Sequence, residues 1–131
     1  MSGTNQRPVH VRLSLPADPD APIRARHEIS RCPAVPAHCR QDLALLVSEV
    51  VTNAVRHARG QDRDHPIEVD AHCGDEEVRV VVRDGGRGVA RPRTPGLDGG
   101  YGLHIVDATA SAWGAAPGEL WFVLRTAGAG A

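Results

Sequence analysis

Glu49, Asn53 and His57 recur four residues apart inside a long segment with an apolar repeat. On a helix that spacing puts a carboxylate, an amide and an imidazole on one face. A carboxylate held there can act as a general base, and an amide oxygen can hold a hard metal ion. Taken alone, the face reads first as the solvated side of an amphipathic helix. A second group, Asp84-Gly85-Gly86-Arg87-Gly88, directly follows an alternating apolar run. A carboxylate at a strand end can accept a hydrogen bond from the exocyclic amine of a base. Glycines beside it let the backbone approach a flat ligand, because no Cβ intervenes. A third group, Gly99-Gly100-Tyr101-Gly102-Leu103, opens a helical pattern. Free N–H groups at a helix N-terminus suit phosphate. Taken singly, each glycine run also reads as a plain loop.

The elements that must position these groups follow from periodicity. Val9, Val11, Leu13 and Leu15 alternate with polar residues and predict a half-buried strand. Asp20 is placed to cap a helix that carries Pro22 in its first turn and runs toward Arg31. Pro33 and Pro36 end it. From Ala37 to Ala58, Leu43, Leu46, Val47, Val50, Ala54 and Val55 make one apolar stripe, with Glu49, Asn53 and His57 as a second, polar one. Two alternating runs around Ile67–Ala71 and Val78–Val82 flank Gly74-Asp75, a hairpin signal. A helix from near Tyr101, a short strand at Trp113–Ala115, a turn at Pro117-Gly118 and a strand at Leu120–Leu124 complete the chain. The order β-α-α-β-β-α-β-β predicts an α/β two-layer sandwich, a mixed and mainly antiparallel sheet with helices on one face. Residues 9–126 are expected to form one domain between flexible ends at 1–8 and 127–131.

Composition removes several function classes. All fifteen basic residues are Arg. Without Lys there is no Walker A loop and no Schiff-base chemistry. A net charge of -1 gives no footprint for direct nucleic-acid binding. No apolar stretch approaches the roughly 20 residues of a membrane span, and Met1–Pro8 lacks an apolar signal core. Cys32, Cys39 and Cys73 form no CxxC pair, which suits a reducing cytoplasm and structural thiols.

The three groups occur in a fixed order, and together they resemble the boxes of the GHKL ATPase superfamily. Glu49 to Ala58 looks like its N box, Asp84 to Gly88 its G1 box and Gly100 to Leu103 its G2 box. The resemblance runs over about Val9 to Arg125 and is nearest to the stand-alone anti-sigma-factor serine/threonine kinases. The Gly102-Leu103-His104-Ile105-Val106-Asp107 run and the Trp113-Gly114 pair look like that branch.

The resemblance implies a Bergerat-type ATP-binding fold and a set of roles. Asn53 would hold Mg²⁺ on the ATP phosphates, and Glu49 would be the general base for an attacking serine hydroxyl. Asp84 would bond the adenine amine, with Gly86 and Gly88 letting adenine and sugar lie against backbone. Gly100, Tyr101 and Gly102, continuing into Leu103, would offer N–H groups to phosphate, and Val89 to Gly99 would be a lid. His57 reads as a packing residue. The implied partners are a sigma factor, a STAS-type anti-sigma antagonist as phosphoacceptor, and a second copy of the chain through the first strand and helix. The implied place is the cytoplasm. Tyr101 stands where relatives often carry Arg, and Glu119 where they often carry Lys. These departures leave a non-catalytic, nucleotide-binding partner-switch module as the alternative to a kinase.

Overall fold

The computed structural model describes residues 8–59, 65–85 and 101–126. Strand β1 (Val9–Leu15) is followed by helices α1 (Ala21–Ser30) and α2 (Arg40–Arg59). Strands β2 (Ile67–Cys73) and β3 (Glu77–Arg83), helix α3 (Tyr101–Thr109), and strands β4 (Ala112–Ala116) and β5 (Glu119–Arg125) complete the order expected from the sequence. The strands form one five-stranded sheet in the order β1-β2-β3-β5-β4. Each of its four ladders is antiparallel, the limiting case of the mainly antiparallel sheet expected.

The period-2 alternation decides which face is covered. Ile67, Val69, Ala71 and Cys73 of β2 and Val78, Val80 and Val82 of β3 are buried, as are Leu120, Phe122 and Leu124 of β5. Their registers align, so they form one apolar surface. On it rest the buried faces of α1 (Ala21, Ala25, Ile29) and α2. All six residues of the predicted α2 stripe are buried, and Val51 and Ala58 are buried with them. The stripe is wider than its spacing suggested because α2 is the central helix. It packs against α1 on one side and α3 on the other while lying over β2 and β3. Burying a Val or Leu side chain stabilises by roughly 1.5–3 kcal/mol, so this helix is among the best-anchored elements of the fold.

Two local expectations need adjustment. Asp20 sits at the N-cap of α1, but its side chain makes no cap hydrogen bond. Its backbone is already in the helical region (φ -83°, ψ -14°), where a side-chain cap does not form readily. Its N–H is instead taken by the Asp18 carboxylate at 2.9 Å. The second helix starts with a 3₁₀ turn at Ala37–Cys39, so regular α-helix begins at Arg40. The Gly74-Asp75 hairpin forms as expected, with the Gly74 N–H donating to the Glu77 carbonyl at 3.0 Å.

The opposite sheet face is polar and is organised around Asp70. Its carboxylate takes Nε2 of His10 at 2.9 Å and Nε of Arg12 at 3.1 Å from β1, and Nη1 of Arg83 at 3.0 Å from β3. The His10 and His72 rings stack 4.0 Å apart. Further along, Trp121 lies across Gly114: a β-carbon there would stand 2.8 Å from the indole. No helix among the described residues is long and apolar enough to cross a membrane.

Candidate functional site

The end of β3 is where backbone and side chains from three elements meet. The last rung of the β3–β5 ladder pairs Arg83 with Glu119. Asp84 stands one residue beyond it. Its N–H still donates to the carbonyl of Gly118, in the β4–β5 turn, at 3.0 Å. Gly85 then turns the chain with φ +73°, a conformation that side chains with a Cβ rarely adopt. The imidazole of His65 lies against Gly85 so closely that a β-carbon would enter the ring. The carboxylate of Asp84 is 7% exposed, and Nδ1 of His57 lies 3.5 Å from its Oδ2. Burial of a carboxylate is costly unless it is paired, and His57 is one of its partners.

That contact orients the polar stripe of α2. Glu49, Asn53 and His57 are all half-buried, unlike the neighbouring core residues Val50, Val51, Ala54 and Val55. With a rise of 1.5 Å per residue, Asn53 lies about 6 Å and Glu49 about 12 Å up the helix from His57. The structure therefore brings His57 to Asp84 and sets Asn53 and Glu49 one and two steps further along the same face. Position 57, expected to do no more than pack, also contacts the strand-end carboxylate. Its place on the i, i+4, i+8 stripe was the signal. Nothing in the sequence pointed to His65.

Helix α3 begins at Tyr101, as the glycine-rich helix start requires, and packs beside α2. Leu103 is buried in the core below, and Val106 follows it one turn on. Nε1 of Trp113 donates to Oδ1 of Asp107 at 2.9 Å and ties the last turn of α3 to β4. Gly102 lies within the first turn of α3. Gly86, Gly88, Arg87, Gly100 and the lid segment 89–99 lie outside the described residues.

The thiols do not contribute a nucleophile. Cys32, Cys39 and Cys73 are free and buried. Burial, helped by neighbouring Cys32, pushes the Cys73 thiol up to about 12. Burial and the nearby Asp42 also raise Cys39. Both are thiols at neutral pH, and a protonated buried thiol is inert. A separate concavity of about 620 Å³ lies between β1 and α1, on the edge strand of the sheet, and is lined by Leu13, Leu15, Ile23 and Ala44 with Arg24 and His27 among the polar residues.

The arrangement fits an adenine nucleotide with its cation at the residues described. A buried strand-end carboxylate suits an exocyclic amine, and an amide oxygen a short way along the facing helix suits a hard ion. Comparison with known proteins points the same way. The family model described as the histidine kinase-like ATPase domain matches residues 15–115. The serine-protein kinase RsbW of Listeria innocua serovar 6a is 32% identical over 79 residues, which cover 58% of this chain and 50% of that protein. The chain thus spans about half the length of that curated relative. The crystal structure of the RsbU and RsbW domains of Rv1364c from Mycobacterium tuberculosis superposes with a TM-score of 0.62 at 24% identity. That match covers 92% of this chain and 31% of the other and bears on the fold alone.

Proposed function

We infer from the histidine kinase-like ATPase domain family, to which this chain belongs, that it binds Mg·ATP between α2 and the end of β3. Residues 9–126 act as one ATPase domain. The reaction is transfer of the γ-phosphate to a serine or threonine of an anti-sigma antagonist protein. The observation that carries the nucleotide reading is the meeting of the α2 polar face with buried Asp84 through His57. Asp84 accepts the adenine amine, and Asn53 holds the cation. Gly86 and Gly88 would let the base and sugar lie against backbone, and Gly100 together with Tyr101, Gly102 and Leu103 of α3 would offer N–H groups to the phosphates. Bound Mg²⁺ neutralises phosphate charge. Glu49, farthest from Asp84, takes the proton of the attacking hydroxyl. Catalysis of this kind rests on placement and charge more than covalent chemistry.

The partner reading follows the family resemblance to RsbW: a cytoplasmic regulator that holds a sigma factor and phosphorylates its STAS-type antagonist. The outer surface of β1 and α1, away from the boxes, is assigned to a second copy of the chain. A second reading is a nucleotide-binding module that sequesters a regulator without transfer. It is favoured by Tyr101 and by Glu119, which here pairs with Nε of Arg83 at 3.3 Å.

Calorimetric titration with ATP and ADP, with and without Mg²⁺, tests the site. Wild type is expected to bind ATP with Mg²⁺ dependence. Asp84→Asn is expected to weaken binding by about ten- to a hundredfold, the worth of a hydrogen bond to a charged group. Equal affinity of the two proteins would remove Asp84 from the site. Labelled ATP with a cognate antagonist separates the two readings: label on the antagonist supports the kinase, and its absence despite tight binding supports the sequestering module.

A further inference from the structure

We propose that Trp113 is a positioning residue: through its hydrogen bond to Asp107 it fixes the direction in which α3 points, and so places the start of that helix against the phosphates of the bound nucleotide. The proposal deepens the nucleotide reading and rests on it. Leu103 and Val106 press α3 onto the core, but apolar contact is non-directional and leaves the tilt of a helix loosely set. Directional ties lie at the other end. The Ser111 N–H donates to the Val123 carbonyl at 2.8 Å, and the Ser111 hydroxyl oxygen accepts the Arg125 N–H at 2.9 Å. Together they pin the chain just past α3 to β5. A rod pinned at one point can still swing about it. The indole Nε1 of Trp113 donates to Oδ1 of Asp107 at 2.9 Å, one helical turn before Ser111, and supplies a second point. The donor is itself held: Trp113 pairs with Phe122 across the β4–β5 ladder, and its half-buried ring packs against the core.

Helix stability does not account for the acceptor. Asp107 is exposed in the last turn of α3, a turn without a basic residue. The helix macrodipole is negative there and disfavours a carboxylate, and aspartate is a poor helix former. A carboxylate at this position is instead suited to receive the indole N–H. The lever is long. Tyr101 lies ten residues before Ser111, about 15 Å along the axis. A swing of about 4° about the pin would move the helix start by ~1 Å, and misplacement of about that size from a remote change is enough to impair a site. The effect on a ligand should therefore grow with the phosphate it carries.

The test uses that dependence. Affinities for ATP, ADP and adenosine are measured by competition against a fluorescent ATP analogue on wild type, Trp113→Phe, Asp107→Ala, Asp107→Asn and the Trp113→Phe/Asp107→Ala double variant. Trp113→Phe keeps a ring but has no donor, and Asp107→Ala has no acceptor. Each should lose about five- to thirtyfold in ATP affinity, less for ADP, and bind adenosine as wild type does. The double variant should lose no more than either single one, because both remove the same bond. Asp107→Asn keeps Oδ1 as an acceptor and should bind ATP like wild type. Thermal melting without ligand checks the fold. Asp107→Ala should melt close to wild type, since alanine favours the helix and the charge leaves its negative end, so this variant carries the test if Trp113→Phe is destabilised. An equal loss for all three ligands, an unchanged ATP affinity in Asp107→Ala, or a loss in Asp107→Asn as large as in Asp107→Ala would overturn the proposal while leaving the nucleotide reading intact. Wild type that binds none of the three would overturn both.

Discussion

Asp70 and Asp84 are two carboxylates drawn from the sheet, and they are served differently. Asp70 lies in mid-strand on β2 with β1 and β3 on either side. Arg12 is directly opposite it, and His10 and Arg83 are diagonal neighbours. Cross-strand and diagonal pairs are the natural contacts of a sheet face, and all three donate to Asp70 at 2.9–3.1 Å. Asp84 stands past the last rung, more buried, with the longer 3.5 Å contact to a helix residue. A carboxylate inside a ladder is secured by the ladder. One just beyond it meets a side chain from a separate element, the helix α2. The same features explain why the polar sheet face reads as structure and the strand end as a site.

Mutations on the two sides should separate function from stability. The largest effect is expected at Glu49, on the α2 face. With Glu49 in the proposed role of general base, Glu49→Gln should lower the transfer rate about a hundred- to ten-thousandfold while leaving nucleotide affinity in place. Transfer of label from ATP to an antagonist, measured beside calorimetric binding, checks this. A variant that transfers at the wild-type rate would remove Glu49 from the proton transfer. Asp84→Asn, smaller in effect, should act on affinity and leave the ligand-free melting temperature little changed. The amide still reaches His57 and no longer requires burial of a charge.

Much of this comparison was legible in the sequence. Strand faces followed from period 2 and the α2 core stripe from period 3.6, so the order of the described strands and α-helices could be read, though not the 3₁₀ turn before α2. The candidate site residues were named as types at a spacing: Glu49, Asn53, Asp84 and the helix start at Tyr101. What escaped was whatever depends on non-local register. The Asp70 cluster requires β1 and β2 to pair across more than fifty residues, as in Arg12 opposite Asp70. The His57–Asp84 contact requires α2 to lie over β3. His65 packs on Gly85 at a turn where the glycine takes a positive φ, twenty residues further along the chain. The missing Asp20 cap has a local cause instead: Asp18 takes the Asp20 N–H, and the backbone of Asp20 enters the helix early.

The opposite half of the comparison is sharpened at Asp70. Asp70→Asn leaves His10, Arg12 and Arg83 converging on a neutral amide. The expected cost is about 1–2 kcal/mol of stability, low in the range for charged hydrogen bonds because the donors are open to solvent. Nucleotide affinity should not move. Urea unfolding measures the first and calorimetry the second; a shift in affinity would mean that the two regions are coupled through the sheet.

The acid limb gives the smallest and most specific effect. Burial alone would raise the Asp70 carboxyl. The hydrogen bond from His10, the charge of Arg12 and the hydrogen bond from Arg83 outweigh it and hold the group below the ordinary carboxylate range. The folded carboxyl therefore titrates below the unfolded one. As pH falls past about 3.9 the unfolded chain takes up the proton first, and the stability supplied by Asp70 drains away until the folded group is also protonated. Above that range the contribution is complete. The stability gap between wild type and Asp70→Asn should thus be constant near neutral pH and close in acid. High salt should narrow it at neutral pH, since the donors lie within reach of screening ions. A gap that persists unchanged into strong acid would mean that the carboxylate charge is not what the three donors secure, and that packing on the sheet face carries the effect.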